Sequence, residues 1–191
     1  MHKHKGKGGL ERRGTRVRPL DAPIRLARSG KARSGNTVDI LDELKAVIGA
    51  LAREDIDYAL CGGLALAVYD LPRATLDIDV LIQVDSLFRA KRAAESVGFT
   101  LSAAPMEFQG GKIQIYRVVK TEPGTGEELA LDFLLVTPEI AAAWETRREV
   151  AWEGRTLKVV SPQGLILLKS FRRSGKDQDD IEHLRSIIDE A

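Results

Sequence analysis

The chain has 191 residues, is 43% hydrophobic and 30% charged, and carries a formal net charge of +1, which suits one domain, or one domain with an appendage, around a sizeable core. A single cysteine, Cys61, excludes an internal disulfide, and no Cys/His zinc spacing exists. No apolar run approaches the ~18–20 residues of a membrane span and no signal-peptide core is present, so a cytoplasmic protein with no membrane partner is expected.

The small net charge hides an asymmetry. Residues 1–36 hold eleven Lys/Arg against Glu11 and Asp21, a net of +9, so the remainder carries −8. This first segment is rich in Gly, Arg and Lys and lacks apolar periodicity, and it is expected to be disordered when free. It reads as an arm that grips nucleic-acid phosphates, as a solvated tail, or as the product of a wrongly assigned start upstream of Val38. His2 and His4 read as bystanders. The expected division is a basic tail at 1–36, a core at 37–138, and a hairpin with helices at 139–191 in the same domain.

Thr37 is the expected N-cap of a helix to about Arg53, with Ile40, Leu41, Leu44, Val47, Ile48 and Leu51 on one stripe. A strand over Asp57–Cys61 follows, then Gly62-Gly63, then a small apolar helix to Asp70. Cys61 reads as a small buried hydrophobe rather than a nucleophile. Leu71–Thr75 is a loop carrying Arg73. In the strand Leu76–Gln83, Leu76, Ile78, Val80 and Ile82 share one face, and Asp77, Asp79 and Leu81 the other. A helix capped by Asp85 or Ser86 runs to Val97, with Leu87, Phe88, Ala90, Ala94 and Val97 as its apolar side, and ends at Gly98. A short strand is expected near Phe99–Ser102, and residues 103–111 are expected to be loop. Strands over Lys112–Lys120 and Leu129–Val136 flank a turn-rich connector. The second is almost wholly apolar, yet holds Asp132.

Thr137-Pro138 ends that strand. A helix over Glu139–Glu145 precedes a hairpin, Arg148–Trp152 with Arg155–Val160, turning at Glu153-Gly154. Ser161-Pro162 opens a helix to about Arg173. The last helix is expected at Asp177–Glu190, with Ile181, Leu184, Ile187 and Ile188 buried. Trp144 and Trp152 are expected to pack, and His183 to lie on the surface.

The chemistry gathers on few residues. Asp77 and Asp79 project from one strand face with Cα atoms about 6.5–7 Å apart. Two carboxylates facing one spot repel, and a hard divalent cation such as Mg²⁺ removes that cost. An ionised Asp132 inside an apolar strand needs the same compensation, so the three could close around one or two ions. Gly62 and Gly63 let backbone N–H groups approach a phosphate closely. Arg73 and Lys169 are candidates to neutralise charge on a departing pyrophosphate. The candidate catalytic and metal-holding residues are therefore Asp77, Asp79 and Asp132; Gly62, Gly63, Arg73 and Lys169 are the candidate nucleotide-binding residues.

The segment CGGLALAVYDLPRATLDIDVLI resembles the signature of the nucleotidyltransferase superfamily typified by polymerase β: strand, Gly-Gly or Gly-Ser turn, short helix, and Asp-x-Asp on a strand. LALDFLL matches a later strand bearing the third carboxylate. SPQGLILLKSFRRSGKDQDDIEHL is similar to the C-terminal part of the bacterial AbiEii-like branch, where a helix supplies a Lys, matched by Lys169. An Arg-Asp-x-x-Asp-like stretch opens that branch's next helix, approximated here by Lys176, Asp177 and Asp180. The resemblance covers about residues 38–191. It departs from the pattern in having Gly-Gly without a serine hydroxyl, and Lys176 where Arg is common. It implies a mixed α/β palm-like fold with a helical C-terminal segment, Mg²⁺, and transfer of a nucleotide from an NTP. The acceptor would be RNA such as tRNA, or a protein, and a toxin role would bring an antitoxin chain as partner. The competing readings are a small-molecule (antibiotic) nucleotidyltransferase and a catalytically silent binding module of the same fold.

Overall fold

The computed structural model describes residues 39–72, 74–171 and 175–189, the side chains of 175 and 176 excepted. The basic tail at 1–36, Thr37 and Arg73 lie outside the described residues. Helix α1 spans Ile40–Arg53, and its cap is Asp39, whose Oδ1 accepts from the Leu41 N–H at 3.0 Å. An Asp side chain at this position satisfies one of the free N–H groups of the first turn. Strand β1 (Ala59–Cys61) leads directly into α2 (Gly62–Val68), and β2 spans Asp77–Ile82. A 3₁₀ turn at Val84–Ser86 precedes α3 (Leu87–Glu95).

The stretch expected to be loop contains a strand. Short strands β3 (Leu101–Ser102) and β4 (Met106–Phe108) follow one another along the same edge of β5 (Ile113–Thr121). The β4–β5 turn places Gln109, Gly110 and Gly111 at positive φ. A turn of this kind makes the hairpin, and the glycines adopt it without strain. Phe99, expected in a strand, is instead a fully buried plug between α3 and β3. Strand β6 spans Glu128–Leu135, followed by a 3₁₀ turn at Pro138–Ile140 and α4 (Ala141–Glu145). Strands β7 (Arg148–Trp152) and β8 (Arg155–Val159) form the expected hairpin, with Glu153 and Gly154 both at positive φ. Helix α5 spans Pro162–Ser170, with the Ser161 hydroxyl accepting from the Gly164 N–H, and α6 spans Gly175–Asp189.

The described strands make one eight-stranded mixed sheet, ordered β3-β5-β6-β2-β1-β8-β7 with β4 also on β5. Strand β2 pairs parallel to β6 and antiparallel to β1, and β8 joins β1 in parallel. One face is wholly apolar at its centre, with Ile78, Val80, Ile82, Leu131, Phe133 and Leu135 all at 2% exposure or less. Helices α1 and α3 pack against each other, α1 burying Leu41, Leu44, Val47 and Leu51, and α3 burying Ala90, Ala93 and Ala94. Phe88, expected on the apolar side of α3, is exposed instead. On α6 only Leu184 of the expected stripe is buried; Ile181, Ile187 and Ile188 are half-buried. The fold is therefore a mixed α/β sheet flanked by helices, as the element pattern predicts.

Candidate active site

Register sets the site. Asp79 pairs with Asp132 across β2 and β6, Asp132 with Arg117 across β6 and β5, and Asp79 with Cys61 across β2 and β1. Laterally paired residues point to the same face of a sheet, so Arg117, Asp132, Asp79 and Cys61 form one transverse row. Asp77 lies two residues along β2 on that same face. The three carboxylates offer oxygens that all lie within 4.8 Å of one another. Asp79 and Asp132 are buried, and Asp77 is half-buried.

The glycine pair makes room for these acids. Gly62 has φ of +64°, and a Cβ there would stand 1.9 Å from Asp79 Oδ2. At Gly63 a Cβ would stand 2.8 Å from both Cβ and Oγ1 of Thr75. The Thr75 hydroxyl in turn donates to Asp77 Oδ1 at 2.6 Å. Each glycine thus clears space for one carboxylate, Gly62 directly and Gly63 through Thr75. Thr75 has no apolar or charge signature in the sequence, and only the contact reveals its part.

Arg117 is the other residue that sequence reasoning missed. Its Nε donates to Asp132 Oδ1 at 2.7 Å and its Nη2 to Oδ2 at 2.8 Å. This side-on, two-point pairing is the strongest form of Arg–carboxylate contact. The hydrogen bond to Asp132 raises the Arg117 pKa further above its ordinary value; burial opposes this, and Asp132, Asp77 and Asp79 add to it through their charges. The compensation that Asp132 needs in an apolar strand therefore comes from within the chain. Parity puts Ile113, Ile115 and Arg117 on one face of β5, but the register with β6 that sets Arg117 opposite Asp132 is carried by the structure alone.

Lys169 lines a pocket with Asp79, Gly62, Cys61, Ile113, Leu134, Leu165 and Leu168. Its ammonium donates to Asp177 Oδ1 at 3.0 Å and lies 2.7 Å from Asp180 Oδ2, with all three side chains 13–15% exposed. The structure thus brings Lys169, Asp177 and Asp180 together beside the acid row, one turn apart on α6. Lys176 falls within α6, and its side chain lies outside the described residues. Cys61 is 1% exposed within the hydrophobic cluster, the buried position expected for it.

The donor set fits a hard divalent ion. Three carboxylates converge, two of them buried, and among the described residues the converging ligand group is made of carboxylate oxygens alone. Asp77, Asp79 and Asp132 are the residues that would hold it.

The mixed sheet that carries these residues has a fold like that of solved structures, a proposed nucleotidyltransferase among them. TM1012 of Thermotoga maritima, a proposed nucleotidyltransferase, superposes with a TM-score of 0.50 at 15% identity over 80% of this chain and 94% of its own. The antibiotic-resistance factor ANT(2'')-Ia superposes with a TM-score of 0.56 at 14% identity, over 78% of this chain and 84% of its own. At these identities the likeness is one of fold. No protein-family model matches the chain, and no curated protein matches it. No helix among the described residues is long and apolar enough to cross a membrane.

Proposed function

We propose that this chain is a metal-dependent nucleotidyltransferase that moves an NMP group from an NTP to an acceptor hydroxyl. The observation that carries this reading is the in-register pair Asp79–Asp132, joined by Asp77 and packed against Gly62, at the centre of this fold. One or two Mg²⁺ ions held by these acids would supply charge neutralisation at the phosphates and lower the pKa of the attacking hydroxyl. The acceptor oxygen attacks the α-phosphorus in line, the bond to the bridging oxygen breaks, and pyrophosphate leaves with the electron pair. The acceptor's proton passes to Asp132.

The backbone at Gly62 and Gly63 is the proposed approach for the triphosphate. Lys169 lines the same pocket as Asp79 and Gly62, which supports a role in neutralising the leaving pyrophosphate. Asp177 and Asp180 hold that ammonium in place, and Lys176 and Arg73 complete the proposed cationic set. Among acceptors we favour RNA such as tRNA, or a protein; the resemblance of residues 161–184 to the AbiEii-like branch supports this, and with it a toxin role restrained by an antitoxin chain. The structural likeness to ANT(2'')-Ia, an antibiotic-resistance factor, makes a small-molecule acceptor the competitor.

Label transfer tests the reading. The purified chain is incubated with Mg²⁺, each α-³²P-labelled NTP in turn, and a cell extract; the Asp77→Ala/Asp79→Ala double variant runs beside it. Label on RNA or protein, absent with the variant, is expected. Label on a small-molecule acceptor alone would move the assignment to that class. Mg²⁺-dependent NTP binding without transfer to any acceptor would leave a binding module of this fold.

A further inference from the structure

Asp132 is 2% exposed in a strand whose other residues, apart from the exposed Glu128 at its start, are apolar. A charge so placed must be compensated, and here the compensation is the two-point contact from Arg117. Those two oxygens are the same atoms through which Asp132 would hold a divalent ion. A guanidinium stays protonated at any working pH, so its charge is a permanent feature of the row. It also acts on Asp77 and Asp79 through their charges. The acid site therefore contains its own cation on the strand next to Asp132. The Arg117 side chain is 36% exposed, so it has a solvent side into which it can move.

We propose that Arg117 is an internal counter-cation that competes with the divalent ion for Asp132 and thereby sets the metal affinity of the site. Arg117 has two effects. It stabilises the acid row when no ion is bound, because both Asp132 oxygens are satisfied. It weakens ion binding, because the incoming ion must share or displace those contacts and meets a like charge beside them. The inference rests on Asp77, Asp79 and Asp132 being the ligands, and the experiment separates the two claims.

The measurement is Mn²⁺ titration of the full chain, followed by the electron-spin signal of the free ion, for wild type, Arg117→Gln, Arg117→Lys and Asp79→Asn. Thermal melts in chelator and in Mn²⁺ accompany it. Arg117→Gln is expected to bind Mn²⁺ about tenfold or more tightly than wild type, since a unit charge beside the ion is removed. Arg117→Lys keeps the charge but loses the two-point fork, and is expected to fall between the two. In chelator Arg117→Gln melts below wild type, and Mn²⁺ closes the gap. Equal or weaker Mn²⁺ affinity in Arg117→Gln overturns the proposal. If that variant does not fold, Arg117→Lys decides, and an affinity equal to wild type overturns it. If wild type and Asp79→Asn bind alike, the ligand assignment itself fails and the inference falls with it.

Discussion

Gly62 and Asp79 share a space that only a residue without a side chain leaves open: a Cβ at position 62 would stand 1.9 Å from Asp79 Oδ2. The backbone there is also left-handed, with φ of +64°. The first turn of α2 and the central carboxylate of the site are therefore fitted to each other, and a change in one moves the other.

Gly62→Ala tests that fit. The left-handed backbone alone costs a residue with a side chain about 1–2 kcal/mol, and the new methyl also expels the Asp79 carboxylate from its position. The variant is expected to fold with a lowered melting temperature and to lose both Mn²⁺ binding and transfer. Wild-type Mn²⁺ affinity in folded Gly62→Ala would show that Asp79 does not need this space.

The acid row should show a trade between stability and activity. Two ionised carboxylates with oxygens within 4.8 Å of one another repel by on the order of 3 kcal/mol or more at an effective dielectric constant near 20. Asp79→Asn relieves part of this, so in chelator it is expected to melt no lower than wild type. Transfer should fall by at least about a thousandfold in Asp77→Ala, Asp79→Ala or Asp132→Ala, since a lost ligand removes several kcal/mol of transition-state stabilisation. Thermal melts beside the label-transfer assay check both arms. Unchanged activity in the Asp77 and Asp79 single variants would sink the assignment.

Much of this site was legible because strands alternate. Period-two patterning put Asp77 and Asp79 on one face, and the apolar run around Asp132 marked it as a carboxylate needing compensation. The source of that compensation was not legible. Arg117 sits two strands away from β2, and only the β5–β6 register sets it opposite Asp132. A single strand's pattern carries no register with its neighbour. Thr75 was missed for a related reason: it acts through one hydroxyl contact with Asp77 from a loop with no periodicity. Strand β4 was hidden because two or three residues against a longer strand give too short a pattern to read. The α1 cap moved from Thr37 to Asp39 because both residue types cap well and boundaries are the least specified feature of a helix.

Lys169 holds two roles that one substitution separates. Its ammonium contacts both Asp177 and Asp180 at 13–15% exposure. Removing it takes a cation away from two nearly buried carboxylates, and breaking a buried pair by removing one partner costs about 3 kcal/mol or more. Lys169→Met is therefore expected to lose about 2–4 kcal/mol in urea unfolding. The triple variant Lys169→Met/Asp177→Asn/Asp180→Asn removes the two carboxylate charges as well and should recover part of that stability. If Lys169 also meets the nucleotide, the recovered protein still shows a raised KM for NTP. Normal KM in the stable triple variant would confine Lys169 to a structural part.

A pH test follows from Asp57, two residues before β1. Its Oδ1 accepts from Lys158 Nζ and its Oδ2 from Arg147 Nη2, each at 2.6 Å. Burial acts to raise its pKa, but the hydrogen bonds from Lys158 and Arg147 outweigh it, and the net shift is below the ordinary 3.8. A carboxylate with a depressed folded-state pKa binds its proton more readily when unfolded. Its contribution to stability is therefore complete above the unfolded value and is lost as pH falls through the folded one. Wild type is expected to exceed Asp57→Asn in melting temperature by a constant margin from neutral pH down to about pH 5, with the margin closing between there and pH 2. The size of that margin is modest, since the ion pairs are solvent-accessible and screened by salt. Melting temperatures measured at matched ionic strength across this range check it. A margin that stays constant down to pH 2 would mean that Asp57 titrates alike in folded and unfolded chains, so that the Arg147 and Lys158 contacts do not favour its ionised form.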